Sequence, residues 1–423
     1  MSRSWDKKIA ALACTALLAG AAVLDACSSG GGNGTSTAPP PGDDAGDGAT
    51  TTVTPPSEAG TDATTADSGD DGPVSDCASD LPSSLSCTGL YSDLASKTVA
   101  PGVEAFTPAV PLWSDGSGKN RWIQLPAGTT IDRSDPNDWV FPVGTKLWKE
   151  FARDGKRIET RFFHKQSDGT WTWTTYVWDA QEASAIVSPN GADLPLEDGA
   201  TYHVPSHDEC VECHNGRPEH VMGFEEVSLG TAGASGLTLA ALTSRGLLSP
   251  APSKTSLSMA DDGSGDAAKA LGWLHVNCGV ACHNANPMAG ASFVGMNLRL
   301  DATLLDGRAP SGFDALTTTV GVASTTGVWG SDQRIAPGDP DHSLILELTS
   351  RRGQGLQMPP LGTVDVDTSD EAILRDWVAK MAPLEDGGAD AGDGGVADAA
   401  VDAESDAAVD AGTDAAPHDA ASE

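Results

Sequence analysis

The sequence predicts an α+β multidomain protein. A β-rich, sandwich-like N-terminal domain is followed by a mostly α-helical region, and the two lie between a disordered tether and an acidic tail. Three observations predict this order. Residues 77–205 hold short runs rich in aromatic and β-branched residues, broken by Asp-Gly turns. Residues 206–384 switch to apolar residues at helical spacing. Residues 27–76 and 385–423 contain almost nothing large and apolar to bury.

The N-terminus reads as an export signal. Arg3, Lys7 and Lys8 precede an Ala/Leu-rich run from Ile9 to Leu24, too short and too rich in small residues for a membrane span. The run ends in Leu24-Asp25-Ala26-Cys27, and Ser28-Ser29-Gly30 follow. That order predicts a lipoprotein-type signal peptide over 1–26, with Cys27 as the lipidated residue. Asp25 is unusual in such a box, and ordinary cleavage beside a plain thiol is the alternative. Cys14 would leave with the signal. No second apolar run of spanning length follows. The expected location is a bacterial cell envelope, as an outer-membrane lipoprotein facing the periplasm or the cell surface. The membrane would be held through the N-terminal lipid anchor.

The formal net charge is −35. Residues 28–76 carry nine acidic residues and no bases, and residues 385–423 carry 12 acidic residues and no Lys or Arg. Both segments read as disordered. The remaining middle is still acidic, which argues against a nucleic-acid partner. A basic redox partner protein is compatible with the charge, and solubility explains it equally well.

The β-rich part is read from five runs: Arg121–Leu125, Trp139–Val143, Lys146–Phe151, Arg157–Phe163 and Thr170–Trp178. Asp115-Gly116-Ser117-Gly118, Asp154-Gly155 and Asp168-Gly169 separate them as turns. Seven of the 11 Trp lie between 113 and 178. A sugar-binding platform is one reading of them; Trp at alternating strand positions, as in Trp171 and Trp173, more often packs one face of a sheet. Cys77 and Cys87 precede this part, neither followed by His, and a mutual disulfide in an oxidising compartment is the expectation.

In the second part, Leu237–Leu247 and Asp266–Val276 have helical apolar spacing. Ser343–Leu348 reads as a short helix or strand. Asp370–Met381 reads as an amphipathic helix with Ser369 as its N-cap and acidic residues in the first turn.

Two motifs carry chemistry. Cys210-Val211-Glu212-Cys213-His214 is the attachment signature of a c-type haem. Two thiols one helical turn apart can add to the two vinyl groups of one porphyrin, and the next residue, His214, then becomes an axial ligand of the iron. The alternatives are a Cys210–Cys213 disulfide or half of a zinc site. Cys278-Gly279-Val280-Ala281-Cys282-His283 repeats the arrangement with one extra residue between the thiols. Random placement of the Cys and His present would give either pattern roughly 0.003 times per chain. A second haem c held by Cys278, Cys282 and His283 stands against a Cys278–Cys282 disulfide beside an unrelated His283. Covalent haem attachment takes place outside the bacterial cytoplasm, which agrees with the export signal.

A His-bound iron needs a sixth ligand. Gln357-Met358-Pro359-Pro360 offers the Met358 sulfur from a loop stiffened by two prolines; a buried Met filling a gap is the alternative. For the first haem, His203, His207, His220, Met222 and His275 are all open. His207 lies on the same helix as His214, which counts against it, whereas His275 could reach across. His164 and His342 read as structural or exposed, and His418 lies in the tail.

Leu112-Trp113-Ser114-Asp115-Gly116, Lys119-Asn120-Arg121-Trp122-Ile123, Phe141-Pro142-Val143-Gly144-Thr145, Ile158-Glu159-Thr160-Arg161 and Tyr176-Val177-Trp178 accompany the two motifs and Met358-Pro359-Pro360. Over most of 85–382 this order resembles exported bacterial dihaem c-type cytochromes. The resemblance implies Cys210, Cys213 and His214 for one haem, and Cys278, Cys282, His283 and Met358 for the other. The residue inserted at 279–281 departs from that pattern. The implied region 206–384 is cytochrome c-like, and its task would be single-electron transfer rather than bond chemistry. A haem enzyme with an open distal site, such as a peroxidase or an oxidase subunit, is the rival. A non-haem surface protein binding a polymer through its Trp-rich domain is the third reading. No Gly-rich phosphate loop and no Ser/His/Asp arrangement stands out.

Overall fold

The structure is a computed structural model; it describes residues 77–197, 199–324, 333–353 and 355–383. Its centre is one seven-stranded sheet. The strands are β1 (Glu104–Thr107), β2 (Gly118–Gln124), β3 (Lys146–Arg153), β4 (Lys156–Lys165), β5 (Trp171–Trp178), β6 (Ala185–Val187) and β7 (Ser235–Gly236). Their order is β7-β1-β2-β3-β4-β5-β6, and every pairing is antiparallel. Consecutive strands are neighbours because short turns join them. Asp154 and Gly155 both have positive φ, at 51° and 79°, which is the twist a two-residue hairpin needs between β3 and β4.

Four of the five expected strand runs fall in β2, β3, β4 and β5. Trp139–Val143 does not form a strand. Val140 makes only an isolated bridge to Asp132, and Pro142 has no N–H to extend it. Trp139 and Phe141 instead pack on Phe224, with ring centroids 6.0 Å away in each case.

The sheet has two buried faces, which follow from strand alternation. Trp122, Trp148, Phe162 and Tyr176 share one face with Leu85, Leu90 and Tyr91 from the preceding segment. Trp148 and Phe162 are register partners whose rings stack at 5.5 Å. The other face carries Ile123 and Leu147 and packs under residues of the second half, including Phe224, Leu239, Leu271 and Trp377. A covering of loops and short helices thus takes the place of the second sheet that a sandwich would have. β7 pairs with β1, and Leu248–Ser249 pairs in parallel with Ile131–Asp132, so strands of the second half extend the first.

The second half is not mostly helical; it is short helices joined by long loops. These are α1 (His207–His214), α2 (Glu226–Gly230), α3 (Leu239–Ser244), α4 (Ala267–Leu274), α5 (Asp314–Thr317), α6 (Leu344–Thr349) and α7 (Thr368–Lys380). Gly and Pro density shortens them, and α7, at 13 residues, is the longest. Asp367, not Ser369, caps α7 by accepting from the Asp370 amide. No helix among the described residues is long and apolar enough to cross a membrane.

Cys77 and Cys87 are joined as a disulfide, with Cα atoms 4.7 Å apart, that closes a loop containing Leu85 of the apolar cover. Replacing both with serine is expected to cost about 2–3 kcal/mol through the lost constraint on the unfolded chain, read as a lower urea midpoint.

Candidate functional site

α1 carries the first Cys/His motif. Ser206 and Glu209 close a reciprocal capping box at its start, and Asp208 and Glu209 favour its first turn. The helix lies beside β5: the His207 ring stacks on Trp173 at 5.1 Å. At the end of α1 the chain folds back on itself. His214 Nδ1 donates to the His220 carbonyl, and His220 Nδ1 donates to the His214 carbonyl at 3.1 Å. His220 sits at φ 56° to make this turn. With Nδ1 committed, Nε2 is the lone-pair nitrogen of His214. Metal-binding histidines are held in this way.

The His214 ring lies 4.8 Å from Phe163 and lines a cavity whose walls include Arg121, Lys149, Arg161, Phe163 and Met222. Burial pushes the His214 imidazole down to about 3, so it stays neutral, the form that binds metal. The sequence places Arg121, Lys149 and Arg161 in expected strand runs but marks none of them as a site residue. Alternating cations on successive strands were the available signal.

The second motif follows α4. His275–Gly279 is a π turn, and the Val280 amide donates to the His275 carbonyl. The His283 amide likewise reaches back five residues to the Cys278 carbonyl, at 2.8 Å. A π turn is wider than an α turn by one residue. Four residues from Cys278 to Cys282 therefore fall just short of one turn, as three do in α1. Gly279 is required there, because a Cβ would meet the Leu298 and Arg299 backbone at 2.5 Å. Asn277 ties the turn to the first half by accepting from the Trp113 amide at 2.8 Å. His283 is 7 % exposed, and its Nδ1 is buried without a hydrogen-bond partner. Burial, with Arg334 nearby, pushes its imidazole down to about 4.

The two motifs touch. The Cys213 and Cys282 thiols lie close enough to interact, and the interaction raises the first and lowers the second. Gly216 packs directly on Ala281, the residue before Cys282. Burial raises the Cys210 thiol and pushes Cys278 up to about 12. Among the described residues no three His, Cys, Asp or Glu side chains converge as a metal-binding group. A closed Cys/His zinc site is therefore not preformed among them.

A buried ionic network holds the motifs in place. Arg217, three residues after His214, donates to Glu225 at 2.7 Å, and His275, three before Cys278, donates to the same carboxylate at 2.9 Å. His275 Nδ1 accepts from the Leu300 amide at 2.9 Å. Both ring nitrogens are thus engaged, so His275 is a structural residue and not a ligand reaching across. His203 is similarly occupied, by Asp193 and Glu209. His220 and Met222 are the distal-ligand candidates that share the His214 cavity.

Met358 lies in a loop closed by Gln357, whose side chain accepts from the Gly353 amide and donates to the Pro359 carbonyl. That loop docks on the first half: Asp115 accepts from the Val364 and Asp365 amides, and Trp113 Nε1 donates to the Asp365 carbonyl. Met358 is half-buried and is not among the residues lining the His214 cavity. Cys27 and His418 lie outside the described residues. No protein-family description matches the chain, and no curated protein or solved structure matches it. The likeness to dihaem cytochromes rests on its motif residues alone.

Proposed function

We propose that this protein is an exported, lipid-anchored c-type cytochrome that relays single electrons, with one haem on Cys210, Cys213 and His214 and a second on Cys278, Cys282 and His283. The observation that carries this reading is the His214 ring. Its Nδ1 is bound to a carbonyl, and the ring faces a cavity bordered by Arg121, Lys149 and Arg161. The His283 amide's bond back to the Cys278 carbonyl supports the second site by closing its longer spacing into a wide turn. A bound haem supplies a one-electron iron couple. The chain's own residues do the rest: the thiols fix the group, His214 and His283 orient towards it as neutral imidazoles, and Phe163 packs beside the first ring. Met358 is proposed as a sulfur ligand of the second iron. A lipid on Cys27 would hold the protein at the outer membrane, facing the periplasm or the cell surface, where redox proteins are its partners.

The test is the intact mass of the full chain expressed with haem-maturation machinery, beside Cys210→Ala and Cys278→Ala. Each thiol adds across a vinyl group with no atom lost, so each site should add one whole haem. Two haems, with one lost in each variant, are expected. A single haem lost only with Cys210 removes the second site; no added mass in any form ends the cytochrome reading.

The Cys213–Cys282 contact favours a second reading, in which these two cysteines form a disulfide between the motifs. Its formation releases two electrons and two protons to a thiol oxidant of the envelope. Peptide mapping that finds Cys213 joined to Cys282, with no haem mass, would establish it. Haem on both peptides would exclude it.

A further inference from the structure

Arg121, Lys149 and Arg161 stand side by side on β2, β3 and β4: Arg121 is the register partner of Lys149, and Lys149 of Arg161. All three line the cavity that holds the His214 ring. Like charges directly opposite one another destabilise a sheet, and partial burial raises that cost because water no longer screens them. Among the described residues, Arg161 alone of the three has a carboxylate partner. Glu159 grips it through two hydrogen bonds, at 2.7 and 3.1 Å, and also accepts from Tyr202. Arg121 is 7 % exposed, and among the described residues its guanidinium has neither an ion-pair nor a hydrogen-bond partner. Among the described residues Lys149 likewise has no ion-pair partner, and it rests over the Phe151 ring at 4.8 Å.

A buried guanidinium left without acceptors is costly, and a carboxylate pair is its natural complement. We propose that the Arg121–Lys149–Arg161 row is an anion site that receives the paired carboxylates of the tetrapyrrole attached at Cys210 and Cys213, with Arg121 and Lys149 as the direct contacts. The proposal rests on the haem reading of the first motif. The same chemistry would also accept a free dicarboxylate or oxyanion, and the experiment separates these sources. Arg161, held by Glu159, positions the row. Positive charge beside the site favours the reduced form of a bound iron.

The experiment uses the matured full chain with Arg121→Gln, Arg121→Lys and Lys149→Gln, and Lys254→Gln as an exposed control. Intact mass is read first, then midpoint potentials by optical titration. With haem present, Arg121→Gln and Lys149→Gln should each keep the haem count and lower one midpoint potential. Arg121→Lys should restore most of that shift, and Lys254→Gln should leave it unchanged. Shifts no larger than the control's would overturn the proposal. Should Arg121→Gln fail to fold, Lys149→Gln carries the same comparison. If the matured chain carries no haem, the cytochrome reading fails separately, and the site is then titrated calorimetrically with pyrophosphate and succinate. Binding abolished by Lys149→Gln identifies a free-anion site; no binding of either probe overturns the anion site itself.

Discussion

Replacing Glu225 with alanine is expected to destabilise the fold by about 3–5 kcal/mol, the range for removing one partner of a buried ion pair. Glu225 is 4 % exposed, and Arg217 and His275 are buried with it. Its carboxylate accepts from Arg217, His275 and Ser228, so alanine strands a guanidinium and an imidazole N–H away from water. Loss of that clamp also frees the chain on either side of both Cys/His motifs. Burial opposes ionisation of Glu225, but Arg217 and His275 outweigh it and hold the carboxyl well below the usual carboxylate range. A depressed folded value means that the contribution is complete above the unfolded value of about 4.3 and is lost as pH falls below it. Urea unfolding at pH 7 and near pH 4 checks both points. Wild type should lose stability on acidification, and Glu225→Gln, which keeps the shape but not the charge, should lose less. Equal pH dependence in the two proteins would mean that Glu225 does not carry the effect.

Gly216→Ala should be the second large effect, at about 1–3 kcal/mol or more, as for other overpacked sites. A Cβ there would lie 1.7 Å from the Ala281 carbonyl oxygen and 2.6 Å from its carbon. Those are backbone atoms, which cannot rotate away, so the two motifs must separate. Gly312→Ala is the comparison, because a Cβ at Gly312 meets nothing within 4 Å. It should change stability by no more than about 0.5 kcal/mol. In protein expressed without haem machinery, Gly216→Ala should also suppress oxidative linkage of Cys213 to Cys282. Unchanged linkage and unchanged stability would show that the two motifs do not pack at this point.

Much of this organisation was legible in the residues. The β2–β5 runs were found because strand alternation and Asp-Gly turns are local signals, and helix α7 because its apolar period is local too. Trp139–Val143 misled because its aromatic residues are buried by a loop rather than by a ladder. His275 was open as a ligand until its two nitrogens were seen bonded to Glu225 and Leu300. Spacing alone says nothing about turn width, so the bond from the His283 amide to the Cys278 carbonyl was not legible in the second motif.

The composition of the motifs, the face alternation of the four matched strands and the charge of the segments are local properties of the chain. These depend on neighbours a few residues away. Only the tertiary structure decided that Cys213 meets Cys282, that Arg217 and His275 share Glu225, and that Arg121, Lys149 and Arg161 stand in one row. Such contacts depend on strand register and on packing between distant segments, and a one-residue slip would send every side chain of a strand to the other face.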